Sequence, residues 1–308
     1  MYYEERRPQK RRRRSRYEGP GVFGRLLRFL IAVIVVWAIA AAGCTVVLDR
    51  GWTDVLLLGV DYDSEGTSRS DTMIVASIGP LGQERLTSIL RDTWVEIPGH
   101  NPNKINAAYR FGGPELAMET VNQAFGLDIE QYAVISLRTF PMLIDALGGV
   151  ELDVSEAEMA EVNSNLAATR KVLSKSGVDT ADLTVWGEQV HLTGAQALSF
   201  ARIRSIGSDY ERTLRQRRVL QAMLTKARSV KNPLVLVDFF QTALEVTETN
   251  VFWPQMAALG VFALVHNDVG QMRLPADGTF ESGVFDGTWS IRPDLQANRS
   301  LLDDFLQY

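Results

Sequence analysis

DVLLLGVD, residues 54–61, decides the architecture of this chain. It is a short apolar run with β-branched residues, closed at each end by an aspartate, and reads as a buried strand. Working outward, DTMIVASI (71–78) and RLTSIL (85–90) are two more strands. Pro114 opens a helix that Gly126 ends, YAVISL (132–137) is a strand, and 139–147 is a short amphipathic helix stopped by Gly148 and Gly149 before a strand at 150–154. Residues 155–190 are polar and poorly patterned, an excursion with some helix. Helices are expected from Thr193, over 209–229, 233–246 and 253–265, and a last strand over 269–274. This alternation predicts an α/β domain in α-β-α layers, a central mixed sheet covered by helices.

Upstream, the composition changes. Before Phe29 there are ten Lys/Arg and three acidic residues, about +7, against about −12 for the remainder of a chain whose net charge is −5. FLIAVIVVWAIAAAGCTVVL (29–48) then runs for twenty residues without a charge. As a helix it is roughly 30 Å long, the thickness of a bilayer's hydrocarbon core. The basic residues ahead of it place the tail in the cytoplasm and the body outside. The expected organisation is a disordered basic cytoplasmic tail (1–28), one transmembrane helix (29–48) and an extracytoplasmic domain (51–308, core 54–230) in the cell membrane. A cleaved signal peptide is the competing reading, disfavoured by the long tail and full spanning length. The arginine run reads as a topology determinant attracted to anionic lipid; with no folded reader beside it, nucleic acid is not an expected partner. The single cysteine, Cys44, lies in the span, so no intrachain disulfide forms.

There is no Gly-rich phosphate loop ending in Gly-Lys-Ser/Thr, no GxSxG elbow and no Cys/His cluster, and His100, His191 and His266 are scattered. ATP-driven chemistry and serine hydrolysis are therefore disfavoured. What remains is charge at strand ends: Asp61, then Arg69 and Asp71, then Arg91 and Asp92. Polar residues at strand ends of an open α/β sheet are typical site residues, although solvated surface is the bland alternative. Arg202-Ile203-Arg204, if extended, turns both guanidiniums one way, where their planar forks suit phosphate oxygens. In the helix from Asp209, Asp209, Arg212 and Gln216 lie within about 60° of one another, on the stripe continued by Leu220, Met223, Leu224 and Ala227. A stripe that is to be buried thus carries charge, which needs a partner; an Asp209–Arg212 ion pair is the structural alternative. Arg218, on the opposite side, is expected in solvent. Asn106 is a candidate N-cap, and Lys104 a candidate contact to the same anion.

These segments resemble the LytR–CpsA–Psr family of cell-wall phosphotransferases. The resemblance rests on ordered blocks: DVLLLGVD, RSDTMIVASI, SILRDTWVEIPG, KINAAYRFGG, DALGGVELDV, LTGAQALSFARIR and D..RTLRQR. Leu90, Trp94 and Phe200 depart from the family's common residues without removing a charge. The resemblance implies a phosphotransferase that moves a glycan phosphate from a polyprenyl-pyrophosphate carrier to peptidoglycan, forming a phosphodiester. A polyprenyl-pyrophosphate hydrolase and a non-catalytic lipid-binding regulator are the alternatives. It implies that Asp61 and Asp71 hold Mg2+ (or Mn2+), that Arg91, Arg202 and Arg204 contact the pyrophosphate, and that Asp209, Arg212 and Gln216 complete the head-group site, with Arg69 and Lys104 as further contacts. Asp92 or Asp209 is the candidate acceptor of the attacking hydroxyl's proton. The family's lipid lies in an apolar tunnel; Leu116, Phe125, Phe140, Leu143 and Leu147 fit either its lining or ordinary core.

Overall fold

The computed structural model describes residues 52–62, 68–79, 83–173, 178–207, 209–252, 255–256, 259–260, 269–285 and 287–306. The expected tail and membrane span, and most of the helix expected over 253–265, lie outside the described residues. Among those described, no helix is long and apolar enough to cross a membrane.

The elements are β1 (Thr53–Tyr62), β2 (Ser68–Ile78), β3 (Glu84–Ile89), β4 (Trp94–Val95), β5 (Asn103–Lys104), α1 (Ala107–Phe125), β6 (Gln131–Ser136), α2 (Phe140–Ala146), β7 (Val150–Val154), α3 (Glu156–Leu173), β8 (Gly187–Leu192), α4 (Gly194–Ala201), α5 (Asp209–Ser229), α6 (Pro233–Val246), β9 (Thr247–Thr249), β10 (Val269–Leu274), β11 (Phe280–Phe285), β12 (Thr288–Pro293) and α7 (Leu295–Leu306). The main sheet has the order β10-β3-β2-β1-β6-β9. It is mixed: β1 pairs with β6, and β3 with β10, in parallel, while the other neighbours are antiparallel.

Strand periodicity divides β1 between two layers. Leu56, Leu58 and Val60 join Met73 and Val75 of β2, Val121 and Phe125 of α1 and Leu302 of α7 in one core. A second core gathers Leu143 and Ile144 of α2, Val150 and Leu192 of the β7–β8 hairpin, Leu166 of α3, Phe200 of α4 and Val219 of α5. Between the second sheet face and α5–α6, packing is incomplete. One pocket of about 110 Å3 runs from Asp71 and Arg204 past Leu57, Ile74 and Ile135 to Leu220. Another, of about 220 Å3, continues from the same Leu57 and Leu220 to Leu86, Leu236 and Phe240.

Local chemistry explains the ends. Gly126 caps α1 at φ 74°, a left-handed conformation that glycine adopts without a Cβ clash. α1 contains a kink at Gly112 and Gly113, so Pro114 begins its second segment, where a missing N–H costs little. One expectation gains detail and one changes. The helix expected within 155–190 is α3, over 156–173, burying Val162, Leu166, Thr169 and Leu173 along one face. Asn106 makes no side-chain cap, because its backbone is already helical. An Ncap residue normally takes an extended backbone.

Candidate active site

The site lies where β1 ends, β2 begins and β3 ends, and each strand delivers its charge for a local reason. Asp61 continues the Leu57–Gly59 face of β1 beyond the apolar run. Gly59 is required here, since a Cβ would lie 2.9 Å from the Thr72 Cβ. Asp71 owes its direction to a β-bulge. Gly59 lies opposite Thr72 and Val60 opposite Ser70, so Asp71 is the extra residue. Strict alternation would send Asp71 and Thr72 to opposite faces, yet both line the same pocket. Bulges re-aim side chains in this way.

Arg91 and Asp92 follow β3 directly and are pinned from several sides. The Leu90 N–H donates to the Leu274 carbonyl of β10, the Ile291 N–H of β12 to the Asp92 carbonyl, and the Asn106 N–H to the Arg91 carbonyl. On the other side, α4 starts with a capping box in which Thr193 and Gln196 bond reciprocally. Gly194 lets α4 approach α2 so closely that a Cβ there would lie 2.1 Å from the Pro141 carbonyl oxygen. The far end of this fixed helix carries Arg202 as its C-cap. Arg202-Ile203-Arg204 is therefore not a strand, but Ile203 is fully buried and Arg202 and Arg204 both reach the pocket.

Four guanidiniums converge on two carboxylates. Asp71 receives Arg91 Nη1 on Oδ1 at 3.0 Å, and Arg204 Nη2 at 3.0 Å and Arg212 Nη2 at 3.4 Å on Oδ2. Arg202 Nη2 is 3.4 Å from Asp61 Oδ2. Burial pushes the Asp71 carboxyl up, but Arg212, Arg91 and Arg204 outweigh it and hold it below the usual aspartate range. Lys104 Nζ donates to Asp92 Oδ1 at 2.6 Å, and Arg91 Nε lies 3.4 Å from Asp92 Oδ2. The nearly buried Asp92 carboxylate therefore has a cation on each oxygen. Arg212 is buried, and Gln216 lines the pocket one turn further on.

So the structure brings Asp61, Asp71, Arg91, Asp92, Lys104, Arg202, Arg204, Arg212 and Gln216 into one contiguous cluster. Arg69 sits opposite Asp61 in the β1–β2 ladder with its side chain exposed. Asp209 opens α5, but its side chain lies outside the described residues. The α5 stripe read from sequence forms the wall of both pockets: Arg212, Gln216 and Leu220 in the first, Leu220, Met223, Leu224 and Ala227 in the second. Of the five residues left between tunnel and core, Phe140 lines the first pocket. Phe125, Leu143 and Leu147 are buried core, and Leu116 packs against it. Arg218 is not simply solvated. It donates to Glu158 and to the Asp153 carbonyl, and its guanidinium lies over the Phe200 ring.

Could the cluster hold a divalent cation? Among the described residues, no group of three or more His, Cys, Asp or Glu side chains forms a protein cage. Mg2+ seldom uses one; it is commonly bound by one or two carboxylates, water and substrate phosphate. Asp61 and the firmly ionised Asp71 fit that pattern.

A mixed α/β sheet that gathers guanidiniums and carboxylates over the mouth of an apolar pocket defines an anion-binding domain with room for an apolar appendage. The chain belongs to the LytR_cpsA_psr family, whose pattern matches residues 42–301. It is 32% identical over 238 residues to the "polyisoprenyl-teichoic acid–peptidoglycan teichoic acid transferase TagU" of Enterococcus faecalis, covering 75% of this chain and 72% of that one. Among solved structures, TagV of B. subtilis is 26% identical with a TM-score of 0.66, over 84% of this chain and 98% of that one. The family protein YwtF (TagT) of Bacillus subtilis, solved "with bound octaprenyl pyrophosphate lipid", shares the fold at 22% identity and a TM-score of 0.63, over 85% and 92%.

Proposed function

We propose that this chain is a phosphotransferase that moves a glycan phosphate from a polyprenyl-pyrophosphate carrier to a peptidoglycan hydroxyl. The observation that carries the reading is the junction of two environments. Arg91, Arg202, Arg204 and Arg212 gather at the same mouth from which the apolar pockets run between the sheet and α5–α6. A pyrophosphate with a long hydrocarbon tail has that division of charge. The names of the TagU relatives and the lipid bound to YwtF agree with it.

In the proposed reaction the hydroxyl oxygen attacks the phosphorus nearest the glycan. The bond from that phosphorus to the bridging oxygen breaks, and polyprenyl phosphate leaves with the bonding pair. The hydroxyl proton is lost, and a phosphodiester remains. Such a transfer depends on positioning and on charge placed at the non-bridging and leaving oxygens. Arg202 and Arg204 are exposed enough to turn from their aspartates to phosphate, while buried Arg212 is fixed. Asp61 and Asp71 would hold Mg2+ (or Mn2+), which would neutralise charge on the phosphate oxygens. Asp92, with Lys104 and Arg91 on its two oxygens, orients Arg91, and Asp92 or Asp209 is the candidate acceptor of the proton.

The 29–48 segment would tether the domain outside the cell membrane, beside both carrier and wall. The half-exposed Asp61 and Arg204 leave water a path to the phosphates, so slow hydrolysis of the carrier is expected as a side reaction. The test is to incubate the full chain with polyprenyl-pyrophosphate-linked glycan, with and without peptidoglycan, and to identify the products. Peptidoglycan-bound phosphodiester supports transfer. Free glycan phosphate alone, at equal rates in both arms, would make the protein a hydrolase. Retention of the intact carrier would make it a lipid-binding regulator.

A further inference from the structure

Arg204 presents a problem of support. Its side chain is 61% exposed, and it stands in an irregular segment between α4 and α5. An arginine so placed has many rotamers and little packing to select one, yet it meets Asp71 at 3.0 Å. Its aim therefore depends on the backbone that carries it. Upstream, that backbone is fixed by the buried Ile203, whose N–H donates to the Phe200 carbonyl at 3.2 Å.

Downstream, the fixing group comes from elsewhere. Arg215, on the flank of α5, is 4% exposed and donates from Nη1 to the Ile206 carbonyl at 3.1 Å, two residues beyond Arg204. Its Nε donates to Glu158 Oε1 at 3.1 Å. Glu158 is locked in turn: Oε2 accepts the N–H and hydroxyl of Ser155, and the Ser155 Oγ accepts the Glu158 N–H. This is the reciprocal pattern of a capping box at the start of α3. Burial pushes the Glu158 carboxyl up, but the Ser155 hydrogen bond and the neighbouring Arg215 and Arg218 hold it below its ordinary range, so the pair remains ionic.

We infer that Arg215 and Glu158 are positioning residues of the anion site: they brace the Ile206 carbonyl and thereby set the aim of Arg204, without touching the substrate themselves. The inference rests on the reading that Arg204 contacts a pyrophosphate. It gives a role to the start of a segment that lies 57 residues from Arg215 in sequence. A lysine at 215 keeps the charge but offers no planar fork to bridge a carbonyl and a carboxylate at once.

The test uses the full chain in detergent, with octaprenyl pyrophosphate and the uncharged octaprenol as probes. Arg215→Lys and the near-isosteric Glu158→Gln are each expected to weaken octaprenyl pyrophosphate about tenfold, the scale of one mis-set charge-assisted hydrogen bond. Octaprenol affinity is expected to change less than about twofold, and Arg215→Lys added to Arg204→Ala to cost less than about twofold more, because residues coupled through a shared backbone segment are not additive. Equal weakening of both probes would reduce the pair to general structural support. So would the same tenfold loss with and without Arg204, and unchanged affinities in both variants would remove the brace altogether. If Arg204→Ala alone leaves pyrophosphate binding intact, the reading that Arg204 contacts the pyrophosphate fails, whatever the Arg215 and Glu158 variants do.

Discussion

Asp71 is the residue on which most of the site's charge turns. Three guanidiniums meet its carboxylate, and its conformation exists because β2 bulges opposite Gly59 and Val60. If Asp71 merely balanced the arginines, Asp71→Asn would leave a more positive pocket and tighter anion binding. The proposed metal role predicts instead a loss of transfer of about a hundredfold or more, the scale of losing one charge-stabilising group, measured at saturating carrier. A carboxyl held below its ordinary value of 3.8 stabilises the fold fully above that value, and the contribution is lost as pH falls through the lower folded value. The difference in thermal midpoint between wild type and Asp71→Asn should therefore be constant from about pH 7 to 5 and shrink below about pH 4. Asp54 and Asp145 are pushed the other way by burial, so only the comparison with the variant isolates Asp71. Asp61, Asp71, Arg91 and Asp92 were legible in the sequence because they stand at strand ends, and Arg212 and Gln216 because they interrupt an apolar stripe; Arg202 and Arg204 were singled out as an extended pair, whereas one caps α4 and the other follows it. The bulge was not, since DTMIVASI reads as an unbroken strand, and neither was the Glu158–Arg215 pair, whose partners lie on separate helices.

Among the elements, α5 does two things with one face. Arg212 and Gln216 face the anion mouth, while Leu220, Met223, Leu224 and Ala227 continue along the apolar pockets. Leu220 lines both pockets, so Leu220→Trp should block passage between them. Octaprenyl pyrophosphate affinity is expected to fall about tenfold, from the apolar area that no longer enters, while the short farnesyl pyrophosphate binds unchanged; titrations with the two lipids compare them. In α4, Gly194→Ala forces a Cβ against the Pro141 carbonyl and should cost about 1–3 kcal/mol in denaturant unfolding. The strands β1, β2, β3 and β6 and the helix α5 announce themselves by strong periodicity. α3 does not: its buried Val162, Leu166, Thr169 and Leu173 are spaced like a helix face but separated by charged and small residues. β8 likewise buries only Val190 and Leu192 against β7. Its identity as a strand comes from that partner.

For the molecule as a whole, the division between two cores explains why a pocket exists at all. The α1–α7 side of the sheet is filled, whereas on the other side α5 packs mainly with α4 and the β7–β8 hairpin, and room is left above Leu57 and Ile74. The sequence adds an apolar run that ends at Leu48, close ahead of β1. On the proposed topology a protease added to intact cells should remove an epitope fused after Tyr308 and spare one fused before Met1.

The most direct measurement is mass spectrometry of the lipid retained by the full chain purified from its native host, alongside the Arg202→Ala/Arg204→Ala double variant. A polyprenyl pyrophosphate bearing sugar is expected on the wild-type protein, and its loss from a variant that remains folded. Recovery of the same lipid in equal amount from the variant, or of a lipid without pyrophosphate from both, would contradict the proposed function.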